Sequence, residues 1–287
     1  MFLVLAKLKN ILFSYSTPKT FSNSNYERCI DYDIHVVDRW LSHLAMITGQ
    51  DYNLLEKNVM ELGPGSDLGV GLYLLSKGAA GYNAIDVNDL MKDVPIEFYN
   101  SFFERLNKLQ LRVCTDVLRE ELQKSKTGED SKLVYIHKED FDILSSFGNA
   151  SIDAIFSQAA FEHFEDFDKM IFQLSQVAKP GALFIAEIDL KTHSRWIREK
   201  DPLNIYRFSD WIYNVFRFRG TPNRIRPYQY RKAFEKYGFM NIRVIPQNIL
   251  SETAFEKVRL NLFSRYRDPK NEMQFLSIFL YAEKGNH

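Results

Sequence analysis

The sequence of 287 residues predicts a doubly wound α/β fold with a mostly parallel sheet. Three observations carry that expectation. Short apolar runs alternate with helix-period segments from residue 58 to 246. The first run, "NVMEL", ends in Gly-Pro-Gly and opens into a helix-like segment. Glu61, Asp86, Asp140, Ser157 and Asp189 stand at or just past the ends of successive runs. In an open parallel sheet those ends share one edge, where ligands bind.

The elements follow in order. "MFLVLAKLKNILFSY" is apolar around Lys7 and Lys9, without the basic start of a signal peptide. It is expected to dock as a helix on the domain or on a second subunit. The sharper alternative is an interfacial membrane helix. "FSNSNYERCIDYDIHVVDRWLSHLAMI" places Ile34, Val37, Trp40, Leu41, Leu44 and Ile47 at helical spacing. "DLGVGLYLLSKGA" reads as a helix capped by Asp67 or Ser66 and closed by Lys77-Gly78. "YNAIDV", "KLVYIH", "SIDAIFSQAA" and "KPGALFIAEIDL" are strands. The helix "FDKMIFQLSQVA" separates the last two. "RPYQYRKAFEKYGF" is a helix before the strand "MNIRVIP", and "MQFLSIFLYAEK" is the final strand. The expected divisions are a helical cap over 1–57 and a catalytic domain over 58–287. Within that domain lie a helical insertion over 88–132 and a lid over 191–231.

Composition narrows the function classes. Lys+Arg 37 balances Asp+Glu 37, which argues against a general nucleic-acid binder. Cys29 and Cys114 form no CxxC or Cys/His pattern, so no metal set is expected and a reducing, cytoplasmic setting fits.

The glycine turn is the main chemical signal. Gly63, Pro64 and Gly65 allow a tight strand-to-helix turn with close backbone approach to a ligand. The third glycine is at 69, so the spacing is not that of a dinucleotide loop. Glu61 and Asp67 would repel a pyrophosphate. They suit S-adenosylmethionine, which has no phosphate and carries a sulfonium and an ammonium. Asp86 can accept both ribose hydroxyls.

These segments together resemble the class I S-adenosylmethionine-dependent methyltransferases of the small-molecule, type 11-like group. "VMELGPGSD" resembles the first motif of that family and "AIDVN" its acidic second-strand end. "KEDFDIL" resembles the adenine-contacting segment, "SIDAIFSQAAFEHF" the fourth-strand motif and "VAKPGALFIAEI" the fifth-strand region. The motifs cover roughly residues 58–190 in the family's order. Asp67 departs from the pattern, standing where the family often has a third glycine.

The resemblance implies a Rossmann-like seven-stranded sheet with an antiparallel last strand, N-terminal helices and a lid insertion. It implies that Glu61, Gly63, Pro64 and Gly65 cradle the methionine moiety. Asp86 would bind ribose, with Val87 and Asn88 beside it. Asp140 would face the adenine amino group, with Phe141 packing nearby. Ser157 and Gln158 would line the methyl-transfer mouth.

His163 and His193 are the candidate catalytic bases, with Glu162 a third. A hydroxyl acceptor must lose a proton, and histidine titrates near neutrality. The lid interleaves Lys191, Arg195, Arg198, Lys200, Arg207, Arg217, Arg219, Arg224, Arg226 and Arg231 with aromatics. That mixture suits an anionic or aromatic small-molecule or glycan acceptor. The plainer reading is a solvated lid or an interface of a homo-oligomer. "NRIRP" resembles lid entries of methyltransferases from glycan and specialised-metabolite pathways. O-methylation is the favoured expectation. An RNA methyltransferase, a non-catalytic partner protein and a nicotinamide oxidoreductase are the alternatives.

Overall fold

The structure, a computed structural model, describes residues 2–13, 25–194 and 196–286. Arg195, the end of the apolar N-terminal run and the start of the next predicted helix lie outside the described residues. Seven strands form one mixed sheet in the order β3-β2-β1-β4-β5-β7-β6, its last strands antiparallel. They are β1 (Asn58–Leu62), β2 (Gly81–Asp86), β3 (Leu133–His137), β4 (Ile152–Gln158), β5 (Ala178–Asp189), β6 (Phe239–Ile249) and β7 (Phe275–Lys284). The helices are α1 (Phe2–Phe13), α2 (Tyr26–Thr48), α3 (Gly69–Ser76), α4 (Ile96–Leu106), α5 (Thr115–Thr127), α6 (Ile143–Phe147), α7 (Phe167–Val177), α8 (Asp210–Phe216), α9 (Pro227–Lys236) and α10 (Glu252–Arg259). Among the described residues, no helix is long and apolar enough to cross a membrane.

The chain forms two compact units. One is built within 18–158, 173–185 and 284–287; the other within 1–17, 159–172 and 186–283.

In the first unit β1 is central, paired parallel with β2 and β4. Glu61 stands opposite Ala84 on one side and Phe156 on the other. This register brings the ends of β1, β2 and β4 to one edge, as the strand order in the sequence predicts. Val59, Met60 and Leu62 are fully buried, which explains the continuous apolar run of a strand covered on both faces. Trp40 of α2 stacks on Phe156, ring centroids 5.0 Å apart. Burying one such side chain contributes about 1.5–3 kcal/mol.

The buried stripe of α2 is Ile30, Asp33, Val36, Val37, Trp40 and Leu44. It is turned slightly from the predicted one, because Asp33 occupies an inward position that an apolar pattern does not count. The first turn of α3 departs a little from expectation. Leu68 is the capping position, and the Asp67 carboxylate accepts the Gly69 N–H at 2.9 Å.

The second unit is held by buried arginines. Arg226 has no exposed surface. Its guanidinium donates to the carbonyls of Asn271, Glu272 and Phe275 at 3.0, 2.7 and 3.0 Å. Arg224 donates to the Ile205 and Phe208 carbonyls, pairs with Asp210 and lies over the Tyr213 ring. Arg231 forms a two-pronged pair with Glu272. Irregular segments leave carbonyls without ladder partners, and the five-donor guanidinium satisfies several at once.

The N-terminal α1 packs in this unit. Leu3 joins a cluster with Leu203, Tyr206 and Tyr213, and the Lys7 ammonium donates to the Val215 carbonyl at 2.7 Å. Leu5, Leu8, Ile11, Leu12 and Phe13 stay exposed.

Gly69 is set by close packing. A Cβ there would lie 2.0 Å from Asp33 Oδ2 and 2.9 Å from Phe102 Cε2. Both neighbours are buried and cannot swing into solvent. Gly69→Ala is expected to destabilise the protein by about 1–3 kcal/mol through overpacking. Urea unfolding checks this, and an unchanged midpoint would show that α2 can move aside.

Candidate active site

The edge shared by β1, β2 and β4 collects the residues singled out around the glycine turn. Gly63 and Gly65 have φ of 68° and 82°, the left-handed region that glycine enters without strain. The Gly63 N–H donates to the Ile85 carbonyl at 3.0 Å, tying the turn to β2. A Cβ on Gly65 would meet nothing within 4 Å, so space stands open above this backbone.

Asp86 is buried at the end of β2. Its carboxylate accepts the Asn88 N–H at 2.7 Å and the Asn88 side-chain amide at 3.3 Å, and the Gly65 N–H also points to it. Burial raises its pKa, and those donors work against the rise. Tyr135 holds the Asn88 carbonyl at 2.7 Å, and the His137 ring meets the Val87 carbonyl at 3.3 Å. The loop after β2 is therefore anchored by β3.

Phe141 is buried with φ of 49°. A bulky residue in that region is strained, and such strain concentrates at ligand sites. Asp140 beside it is exposed and accepts the Asp142 N–H at 3.2 Å. Ser157 is fully buried and donates to the Leu62 carbonyl at 3.1 Å. Its hydroxyl joins β4 to β1, whereas the neighbouring Gln158 is half-exposed.

Beneath the turn lies a crowd of carboxyls. Tyr82 donates to Glu61 Oε2 at 2.5 Å. Burial pushes the Glu61 pKa up to about 8; the Tyr82 bond opposes this, and Asp67 and Asp86 add to it. Asp33 and Asp67 share a hydrogen bond between carboxyls. Burial drives the Asp33 pKa well above the carboxylate range, and the charge of Asp67 adds to the rise. Asp33 is thus the proton donor of the pair. Sequence reasoning missed it. Its only signal is an acid at an apolar stripe position of α2.

In the second unit, Glu162, His163 and His193 come together. The three offer ligand atoms within 4.8 Å of one another. Glu162 follows β4 in a short 3₁₀ turn and is 2% exposed. Burial raises its pKa well above the usual range, and nearby Asp189 adds to the rise. The His193 pKa is driven down to about 4 by burial and by His163. Burial lowers that of His163 as well. Both rings are therefore neutral at pH 7.

Asn223 pins this turn. Its N–H donates to the Glu162 carbonyl at 2.7 Å, and its amide to the carbonyls of Phe161 and Phe164 at 2.9 and 3.1 Å. The start of "NRIRP" is thus a structural staple. The lid cations are also largely engaged: Arg198 with Asp189, Arg207 with Asp201, and Arg217 with Glu165. The expectation that these arginines wait for an anionic acceptor is weakened accordingly.

A family model for the methyltransferase domain matches residues 101–186. The seven-stranded sheet has the Rossmann-like order of the methyltransferase fold. Among solved structures, the CurJ carbon methyltransferase is similar over 98% of this chain and 64% of its own, with 13% identity and a TM-score of 0.51. A putative sarcosine dimethylglycine methyltransferase from Galdieria sulphuraria matches at 13% identity over 98% of each chain, TM-score 0.49. A Haloferax volcanii complex of the Trm112 methyltransferase activator with a putative methyltransferase matches at 17% identity, over 91% of this chain and 96% of that one, TM-score 0.45. At 13% identity the CurJ likeness speaks for the fold alone. No curated protein matches the chain in sequence.

The methyl donor of a domain of this family is S-adenosylmethionine. The turn fits that group. It offers open space over Gly65, a buried carboxylate at Asp86 and, at Glu61, a carboxyl suited to a cation once ionised.

Glu61 holds its proton at neutral pH in the free protein, and a cationic ligand favours its ionised form. Affinity for S-adenosylhomocysteine, which keeps the ammonium, should fall as pH drops below about 8, by up to about tenfold per unit. Binding at pH 7 should release a proton. Calorimetry in two buffers of different ionisation enthalpy measures that release. Binding independent of pH between 6 and 9 would mean that Glu61 never meets the charge.

Proposed function

We propose that the protein transfers the methyl group of S-adenosylmethionine to a small-molecule or glycan acceptor, with oxygen favoured over nitrogen. The observation that carries the reading is the glycine turn set over buried carboxyls, Glu61 and Asp86 foremost. The Asp86 carboxylate disfavours a phosphate-bearing cofactor there.

When bound, the cofactor supplies a sulfonium-activated methyl group. Asp86, fixed by Asn88, accepts the ribose hydroxyls, with Val87 alongside. Glu61, with Gly63, Pro64 and Gly65, takes the methionine end. Asp140 and Phe141 receive the adenine, and Gln158 faces the transfer region with Ser157 behind it. Positioning supplies much of the rate in such a displacement.

His163 and His193 act on the acceptor. Two neutral imidazoles at pH 7 support an oxygen acceptor, whose proton has to leave. An RNA acceptor is less well supported, because zero net charge combines with lid arginines paired inside the protein.

Asp86→Ala should weaken S-adenosylhomocysteine binding by about 1–3 kcal/mol, the value of hydrogen bonds to a charged group. Calorimetry that detects no binding to the folded wild type would remove the cofactor reading.

His163→Ala should lower turnover by about 10²–10⁴ while cofactor affinity stays within a few-fold. If His163→Ala remains active and His193→Ala does not, the role belongs to His193. Full activity in both would withdraw the base role and the oxygen preference together.

A further inference from the structure

The Glu162–His163–His193 cluster holds more unsatisfied polarity than a general base requires. Both Glu162 oxygens, His163 Nδ1 and His193 Nε2 are buried without a hydrogen-bond partner. The backbone N–H groups of Glu162 and Asp189 lie near the Glu162 carboxyl and oppose the rise of its pKa. Burial of a carboxyl in that condition is unfavourable unless something else satisfies it.

The geometry is that of a ligand set. His193 Nε2 lies 3.8 Å from Glu162 Oε1, and all three donor atoms fall within 4.8 Å of one another. A tetrahedral zinc ion with bonds of about 2.0–2.1 Å holds its donors roughly 3.4 Å apart. Small side-chain rotations close that difference.

The surroundings also fit. The His163 ring hydrogen-bonds the Gly220 backbone, and its Nδ1 is buried without a partner. A metal-ligating histidine characteristically gives its other N–H to such an acceptor, fixing the tautomer. Asp189 Oδ2 lies 3.8 Å from the same His193 Nε2, beside the donor atoms, and Arg198 pairs with it. Asn223 fixes the turn that carries two of the three residues.

We infer that Glu162, His163 and His193 form a binding site for one divalent transition-metal ion of the zinc type. Two imidazoles and one carboxylate select against magnesium and calcium, which prefer all-oxygen shells. Three protein ligands leave a coordination position open. A hydroxyl bound there would lose its proton more readily, the task assigned above to the histidines. The inference deepens that reading where the acceptor is concerned. As a binding site it stands on its own geometry.

The test uses the full-length protein, stripped with a chelator and dialysed. Zinc titration by calorimetry should show one tight equivalent, and magnesium none at the same concentration. Cobalt(II) should give visible d–d bands of a low-coordinate nitrogen and oxygen site. Glu162→Gln and His193→Ala should each weaken zinc binding by about 100-fold or more and abolish the cobalt bands. Losing merely supporting residues typically costs 10–100-fold. His35→Ala, which removes an exposed histidine of α2, should bind zinc as the wild type does.

Binding of S-adenosylhomocysteine by each variant checks that it is folded. No uptake of zinc by folded wild type would overturn the site. So would unchanged affinity in both ligand variants. If stripped protein binds zinc but not S-adenosylhomocysteine, the metal site stands and the methyltransferase reading falls.

Discussion

Three carboxyl groups buried beneath the glycine turn constrain the first unit of this protein. Asp33, Glu61 and Asp67 act on one another electrostatically, and burial raises the pKa of each. They cannot all ionise there, so the fold distributes protons among them. Tyr82 donates to Glu61, Asp33 donates to Asp67, and the Gly69 N–H takes the other side of Asp67. The local shape of the turn follows. Gly69 must lack a side chain because Asp33 occupies its space, and α2 must lie over the turn to bring Asp33 there.

The same arrangement answers why a glycine turn should be ringed with acids. Asp67 stands where the family often has glycine, yet its carboxylate is turned inward to cap α3 and hold Asp33. A residue that looked like part of the ligand surface is instead part of the support. Glu61 is different. Its proton is the most easily surrendered to a cation, because Tyr82 already stabilises the carboxylate.

The region around Glu162, His163 and His193 is organised by another principle. Here buried polar atoms are left unpaired, although the second unit elsewhere satisfies its carbonyls with arginine. Arg224 and Arg226 saturate their surroundings, and Asn223 between them and the 161–164 turn saturates its own. Asp201 Oδ1, Asn204 Oδ1, Arg207 Nε and the Tyr230 and Tyr266 hydroxyls of this unit are also buried without a partner; Glu162, His163 and His193 differ in that their donor atoms converge within 4.8 Å of one another. Arg198, Arg207, Arg217, Arg224, Arg226 and Arg231, which composition suggested for substrate binding, are engaged with partners inside the fold.

Sequence alone was enough for the strands, their alternation with helices and the cluster of polar residues at strand ends. Strand periodicity, the Gly-Pro-Gly turn and the acid ending β2 are local signals, carried by neighbours in the chain. It also selected Glu61, Asp86, His163 and His193. Only tertiary structure decided what each of these meets. Asp33 reaches Asp67, and His193 reaches Glu162, across long stretches of chain. Burial, which sets their protonation, is a property of the packed molecule. The fate of the lid arginines was likewise invisible, because a guanidinium reads the same in sequence whether it faces a substrate or a backbone carbonyl. What separates the two is the distance to an unpaired acceptor, and that distance exists only once the chain has folded.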